Sequence, residues 1–402
     1  VLTAHRALGG GARHARSLAR GLRELGVRVS LLCTGAQSAD GDADYDEIIA
    51  CQPHSWPLLW RFQPFGSLPF WYRTVRKAAT HVDAVIALSA PLALATRWAV
   101  PRMPLLYAPA MLYRLEYPQW RCSAYAWFER QAFRCADGVL VHTQAVQEAI
   151  ETFYGPLRRP TGVCLSGIDD GHASATGRTR SDLGVPPDAK LLVTAGLMNE
   201  NKGQRYIARA LARSAEPNWW WAIVGEGGDG PAIRAELQGS SMESRTLFVG
   251  IDRHIGDWYA AAHLYVGASR TETFGQAVAE SLRAGLPVVI PQNTFGDTLS
   301  PLAEVVERYR LGYTFKRRDT ASLSNALRTA LGDEGELRAA GQRAAAFAHA
   351  NFTCARYAEC AVRLLESSSD VIYEVSPPAP GERSDIGDTP RPQPDHVLTA
   401  AR

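Results

Sequence analysis

The 402-residue sequence has no apolar run of the ~18–20 residues that a membrane span requires, and no charged-then-apolar segment opens it. The expected location is therefore cytoplasmic, or peripheral at the inner face of a membrane. It has no C-x-x-C pair, and its 7 cysteines are odd in number, which argues against a disulfide framework or a zinc cluster and for reduced thiols. It lacks charge of one sign: 43 Lys and Arg face 41 Asp and Glu, a formal charge of +2, so no nucleic-acid partner is expected. Lysine is scarce, with only four in the chain. No short fixed repeat is present. The opening segment, Val1-Leu2-Thr3, is shorter than the usual strand of about five or six residues, so a truncated first strand is expected.

What the sequence does have is apolar residues, at 46% against 21% charged, over a length sufficient for two or more cores at roughly 100–200 residues per domain. Apolar β-branched stretches alternate with amphipathic ones, the pattern of parallel sheets flanked by helices. A first run places strands at Val1–Thr3, Val27–Cys33, Ala84–Leu88, Leu105–Tyr107, Gly138–His142 and Val163–Leu165. Between the first two lies a helix over Arg13–Leu25, with Leu18, Leu22 and Leu25 inward and Arg13, Arg16, Arg20 and Arg23 on the wet side. After a Gly-, Ser- and Pro-rich connector over residues 170–188, a second run predicts strands at Leu191–Ala195, Trp219–Val224, Thr246–Val249, Leu264–Ala268 and Pro287–Ile290. Five strand-then-helix units imply a doubly wound sheet. The expected domains are residues 1–172 and 183–345, a closing helix over 346–368 that crosses back to the first domain, and a Pro- and Asp-rich tail over 370–402 without structure.

Two segments could carry chemistry. In the stretch His263 to Ile290, a strand leads through Ser269–Phe274 into a helix that starts near Gly275. Ligands of open α/β sheets sit beyond the carboxyl ends of strands, where the amides near Phe274, Gly275 and Gln276 and the helix dipole favour phosphate. Glu272 and Glu280 flank that point, and two acids on one phosphate-holding element suit the two polyhydroxy rings of a nucleotide sugar. Equally, Glu280 reads as an exposed helix residue and Glu272 as a first-turn acid that complements the dipole. The second segment, LLVTAGLMNENKGQRYIARAL, places Asn199, Asn201, Lys202 and Gly203 at a strand-to-helix loop, where Lys202 is a candidate cation for a diphosphate.

Together these resemble the retaining glycosyltransferases of family 4, which have the GT-B fold: two Rossmann-like, doubly wound parallel-sheet α/β domains that face a central cleft. ETFGQAVAE followed by AGLPVV carries the resemblance, with Lys202-Gly203, IVGEGGDGP, FVGI, LSGIDD and the amino-terminal LGGGARHARSLARGLRELGVRVSLL. The resemblance implies that Lys202 binds the donor diphosphate, with Asn201 beside it. Thr273, Phe274, Gly275 and Gln276 would supply the loop and amides that receive it. It further implies that Glu280 holds the ribose, that Glu272 contacts the transferred sugar, that Gly250 and Ile251 flank the base, and that Gly9 and Gly10 let the amino-terminal loop approach the donor. Glu272 and Lys202 are the residues assigned to catalysis. The implied reaction moves a hexose-type sugar from a nucleotide-diphosphate donor to a hydroxyl acceptor, on a glycan, a lipid or a small molecule, with retention and with no metal or cofactor.

The sequence departs from the family pattern in places. Leu197 stands where the family often has Arg, which leaves Arg205 or Arg270 to supply that charge. Tyr107-Ala108-Pro109-Ala110 occupies the place of a frequent histidine, and QNTFGDTLSPLAE replaces the usual glycine pair and acid. Two alternatives stay open: a non-catalytic nucleotide-sugar-binding protein, and an NAD-dependent oxidoreductase suggested by Gly225–Gly230, which fits G-x-G-x-x-G, with Asp252 downstream. The aromatic and basic stretch Trp56–Phe62, continuing to Trp71-Tyr72-Arg73, is a candidate for peripheral membrane contact, or for inward packing.

Overall fold

The computed structural model describes residues 2–3, 10–34, 44–51, 65–116, 119–169, 174–214, 216, 218–294, 297–366, 369–373 and 375. Two parallel sheets form its two lobes. The first has eight strands among the described residues: β1 (Leu2–Thr3), β2 (Ser30–Thr34), β3 (Glu47–Cys51), β4 (Val85–Ala87), β5 (Leu105–Tyr107), β6 (Gly138–Val141), β7 (Thr161–Val163) and, from the far end of the chain, β14 (Val371–Ile372). Their order is β14-β7-β6-β5-β4-β1-β2-β3. The second lobe comprises β8 (Lys190–Ala195), β9 (Trp219–Val224), β10 (Thr246–Gly250), β11 (Leu264–Val266), β12 (Val288–Pro291) and β13 (Gly312–Phe315), in the order β10-β9-β8-β11-β12-β13.

Helices cover both faces of each sheet, which is why central strands such as β4, β5 and β6 are buried along their whole length. In the first lobe these are α1 (Gly10–Glu24), α2 (Leu68–Ala78), α3 (Ala90–Ala99), α4 (Gln119–Cys135) and α5 (Gln144–Tyr154). In the second they are α6 (Gln204–Ala212), α7 (Gly230–Leu237), α8 (Ile255–Ala261), α9 (Gln276–Arg283), α10 (Ala303–Arg308), α11 (Thr320–Gly332) and α12 (Glu334–Asn351). The last helix, α13 (Cys354–Glu366), shares a core with α1: Leu18 and Leu22 meet Tyr357, Ala358 and Leu364.

The topology fixes where ligands can sit. In each sheet the chain winds outward from a central strand and then jumps back across it, between β8 and β11 in one lobe and between β1 and β4 in the other. Adjacent loops diverge at such a switch point and leave a crevice at the carboxyl ends of the strands. The loop after β8 carries Lys202, and the loop after β11 carries Glu272 to Gly275.

Several elements differ from the expectation. The strand expected at Val163–Leu165 lies at Thr161–Val163, and β3, β13 and β14 were not anticipated. Residues 371–372 therefore add to the first sheet beside β7, whereas the tail was expected to be unstructured from 370; residues 376–402 lie outside the described residues. The single closing helix expected over 346–368 is instead parts of two helices, α12 and α13. Phe352, fully buried, plugs the break between Phe274 and Phe347, with ring centroids 5.6 and 5.7 Å away. Its carbonyl accepts from the Ile168 amide at 3.0 Å, and the Thr353 hydroxyl accepts from the Arg356 amide at 3.3 Å to start α13. The connector is pinned to the second lobe: Arg178 pairs with Asp252 and Asp257, and Arg180 donates to the Ala261 carbonyl. Trp56–Phe62 lies outside the described residues, while Trp71 packs inward in the core beneath α2. Among the described residues no helix is long and apolar enough to cross a membrane.

Candidate active site

A cavity of about 880 Å³ lies between the lobes. The second lobe contributes the loops after β8, β9, β10 and β11, and the first contributes the start of α1 and the segments after β5 and β6. Of the residues singled out in the sequence, Asn201, Lys202, Ile251, Glu272, Thr273, Phe274, Gly275 and Gln276 line it.

Lys202 reaches this wall because of the residue that follows it. Gly203 caps α6 in the left-handed conformation (φ 68°), and a Cβ there would stand 2.4 Å from the Ala268 carbonyl oxygen. Glycine alone permits both the turn and the approach. Gly203→Ala is thus expected to cost at least about 1–3 kcal/mol, the price of a strained backbone, and to displace Lys202. A urea midpoint equal to that of the wild type would contradict this. The Lys202 ammonium donates to Glu272 Oε1 at 2.5 Å, with both side chains partly exposed to the cavity. Asn201 ties the two loops together: its side-chain amide donates to the Thr271 carbonyl at 3.0 Å, and its own carbonyl accepts from the Arg270 amide at 2.7 Å. Its Oδ1 is buried without a hydrogen-bond partner, an acceptor held at the cavity wall.

Gly275 caps α9 with φ 92°, so the chain turns sharply enough to aim the first helical amides at the cavity. Phe274 is 2% accessible, and its ring packs in the core, 5.1 Å from His142. Thr273 bridges the lobes by donating from Oγ1 to the Ala110 carbonyl at 2.9 Å.

Some expectations need correction. Glu280 is neither exposed nor on the cavity wall: it is 2% accessible and lies just behind the surface. Arg13 donates from Nη1 to both its oxygens, at 2.7 and 2.9 Å, and the Tyr259 hydroxyl donates to Oε2 at 3.3 Å. Burial first, then the Glu280 charge, pushes the Tyr259 hydroxyl well above its ordinary pKa and keeps it a donor. Arg13, with 31% of its side chain exposed, thus pairs across the cleft with the other lobe, whereas Arg16 and Arg20 reach Asp44 in their own. Gly250 sits one residue behind the wall, and its carbonyl accepts from the Gly225 amide at 2.7 Å. Gly10 is the first residue of α1, Gly11 lines the cavity, and Gly9 lies outside the described residues. Neither candidate for the charge missing at Leu197 faces the cavity. Arg270 donates to the Leu115 carbonyl, and Arg205 lies 3.8 Å from Glu236.

The glycine-rich loop after β9 has a structural cause. Cβ atoms at Gly225 and Gly227 would each stand 2.1 Å from a backbone oxygen, of Gly196 and Met198 respectively. Asp252, the acid a dinucleotide ribose would need, is held by Arg178, the Trp258 indole and the His254 amide. The loop also follows the second strand of its lobe, not the first.

Two histidines escaped the sequence reading, although His14 shares the i, i+4 stripe of Leu18 and Leu22. His14 and His142 line the cavity with ring centroids 4.7 Å apart, and Tyr357 Oη lies 3.0 Å from His14 Nε2. Burial lowers the His14 pKa to about 4; burial and then the His14 charge lower that of His142 as well. Both are neutral near pH 7. Because the unfolded chain takes up protons near pH 6.5 and folded His14 only near 4, stability is expected to fall as pH drops through that window, by on the order of 3 kcal/mol for His14. Urea unfolding at pH 6.5 and 4.5 should show the loss and a shallower one in His14→Gln; equal slopes would contradict it.

Comparison with known proteins accords with this geometry. Residues 9–163 match the model of a glycosyl transferase 4-like domain, and residues 189–333 that of glycosyl transferases group 1. A lipopolysaccharide core biosynthesis mannosyltransferase, LpsB, of Rhizobium meliloti is 27% identical over 52% of this chain and 61% of its own. A D-inositol 3-phosphate glycosyltransferase of Xylanimonas cellulosilytica is 30% identical over 54% of each. The chain thus spans little more than half the length of these relatives. Among solved structures, sucrose-phosphate synthase from Thermosynechococcus elongatus superposes with a TM-score of 0.77 at 20% identity, covering 91% of this chain and 97% of that one. HepE of Anabaena, in complex with UDP and glucose, gives 0.74 at 21% identity, covering 91% and 98%. The chain belongs to the family 4, group 1 glycosyltransferases and has their GT-B fold.

Proposed function

We propose that the protein is a retaining glycosyltransferase that moves a hexose-type sugar from a nucleotide diphosphate to a hydroxyl acceptor. The observation behind this reading is the convergence, on one cavity between the lobes, of the Lys202 ammonium, the amino-terminal end of α9 and the Glu272 carboxylate. In the reaction the bond from the anomeric carbon to the diphosphate oxygen breaks. The acceptor oxygen bonds to the same face of that carbon, and its proton passes to the departing diphosphate. Retention follows from attack on the face the leaving group vacates, so the protein need not supply a separate base. Its task is to stabilise negative charge as it develops on the diphosphate, and each well-placed donor is typically worth about 3–4 kcal/mol. Lys202 and the α9 amides supply that stabilisation without a metal ion. Glu272, beside Lys202, accepts hydrogen bonds from the transferred sugar, and Glu280 from the ribose.

UDP is the nucleotide to try first, because HepE was solved with UDP and glucose. The acceptor class follows the mannosyltransferase relative only as far as a hydroxyl on a glycan or a lipid-linked glycan. A panel of UDP-, GDP- and dTDP-sugars should contain at least one that raises the melting temperature and is turned over with retained anomeric configuration by NMR. Inversion, or no response to any donor, would contradict the reading. Leu197, exposed at the cavity where the family often has Arg, favours a second reading in which donor is bound without transfer. Stabilisation by a donor without product in the presence of acceptors would support it.

A further inference from the structure

Glu280 cannot meet a ribose where it stands, because the Arg13 guanidinium covers it from the opposite lobe. We propose that Arg13 is the second cation of the donor diphosphate: ribose hydroxyls take its place on Glu280, and the guanidinium moves onto the phosphates. This rests on the nucleotide-sugar reading above and extends it to a residue of the amino-terminal lobe.

Three observations lead here. The family's frequent Arg is replaced by Leu197, and Arg205 and Arg270 are engaged away from the cavity, so that Arg13 and Lys202 are the Arg and Lys side chains that line it among the described residues. The distances are short. Glu280 lies four residues beyond Gln276, about 6 Å along the helix at 1.5 Å per residue, so Arg13 is parked about one turn from the amides that would receive phosphate. A change of Arg rotamer spans that. The charges also match in pairs: Lys202 rests on Glu272 at 2.5 Å and Arg13 on Glu280 at 2.7 Å. A nucleotide-diphosphate sugar brings anionic phosphates for the two cations and neutral hydroxyls for the two carboxylates, so each cation can pass to a phosphate while each carboxylate keeps hydrogen-bond donors. Tyr259, which donates to Glu280 from its own lobe, holds the carboxylate in place throughout. Because Arg13 and Glu280 come from different lobes, the exchange couples donor binding to the contact between them.

The test compares a nucleoside with its diphosphate. Titration calorimetry with uridine and UDP, and with guanosine and GDP, isolates what the phosphates contribute in the full chain. In Arg13→Gln, where the amide can still donate to Glu280 and the fold is kept, UDP or GDP affinity should fall about ten- to a hundredfold. Uridine or guanosine should bind as tightly as in the wild type, or more tightly, since Glu280 is less firmly held. Arg13→Lys should recover part of the diphosphate contribution. If Arg13→Gln weakens nucleoside and diphosphate by the same factor, Arg13 is a brace between lobes and the proposal is overturned; no effect on either overturns it too. A wild type that binds none of the four probes would instead remove the nucleotide-sugar reading on which the proposal stands.

Discussion

Lys202→Ala is expected to lower kcat by about 10²–10³-fold with a much smaller change in KM for the acceptor, since it removes one donor to charge that develops on the leaving diphosphate. The site isolates this effect. Gly203 still sets the turn, Asn201 still ties the loops, and the α9 amides remain in place. The one partner left behind is Glu272, 23% accessible and able to hydrate, so the fold should persist. Steady-state kinetics together with an unchanged melting temperature would check both halves. A variant that turns over donor at the wild-type rate would remove Lys202 from the reaction.

Glu280→Ala should act on binding. A carboxylate that accepts two ribose hydroxyls gives charge-assisted hydrogen bonds worth about 1.5–3 kcal/mol each, so nucleoside affinity should fall about a hundredfold or more. Stability should change less than for a fully buried pair, because Arg13 keeps 31% of its side chain exposed and can turn to water. The two variants separate the ends of the donor: Glu280→Ala should weaken uridine and UDP alike, whereas Lys202→Ala should weaken UDP and leave uridine unaffected. Calorimetry reads this directly. Wild-type uridine binding in Glu280→Ala would mean that this acid serves only to hold Arg13.

Much of the site was legible because it is local. The loop from Ser269 to Gly275 and the helix after it are one strand-loop-helix unit, and Glu272 and Gly275 mark the end of it that lines the cavity. Lys202 was legible for the same reason. The doubly wound lobes followed from central strands that are apolar along their whole length, whereas β3, β13 and β14 are short or half-exposed strands near the edges of the sheets and leave little apolar signal. Arg13 and Glu280 show where local reading stops. Helical spacing correctly turned Leu18 and Leu22 inward, while Leu25, expected inward as well, lies one residue past the end of α1 and is 40% exposed; such spacing also places a residue only relative to its own lobe. The partner of Arg13 is 267 residues away, on a helix of the other lobe, and no periodicity contains that contact. The break at Phe352 is similar: the sequence around it is compatible with one long helix, and the ring is drawn out of line by the aromatic contacts of Phe274 and Phe347.

A crystal structure of the protein soaked with UDP or GDP would test the account most directly. The diphosphate oxygens should lie within about 3 Å of the Lys202 ammonium and of amides at the start of α9, with the Lys202–Glu272 pair opened. A nucleotide seated instead on the Gly225–Gly230 loop, with Lys202 still bound to Glu272, would contradict it.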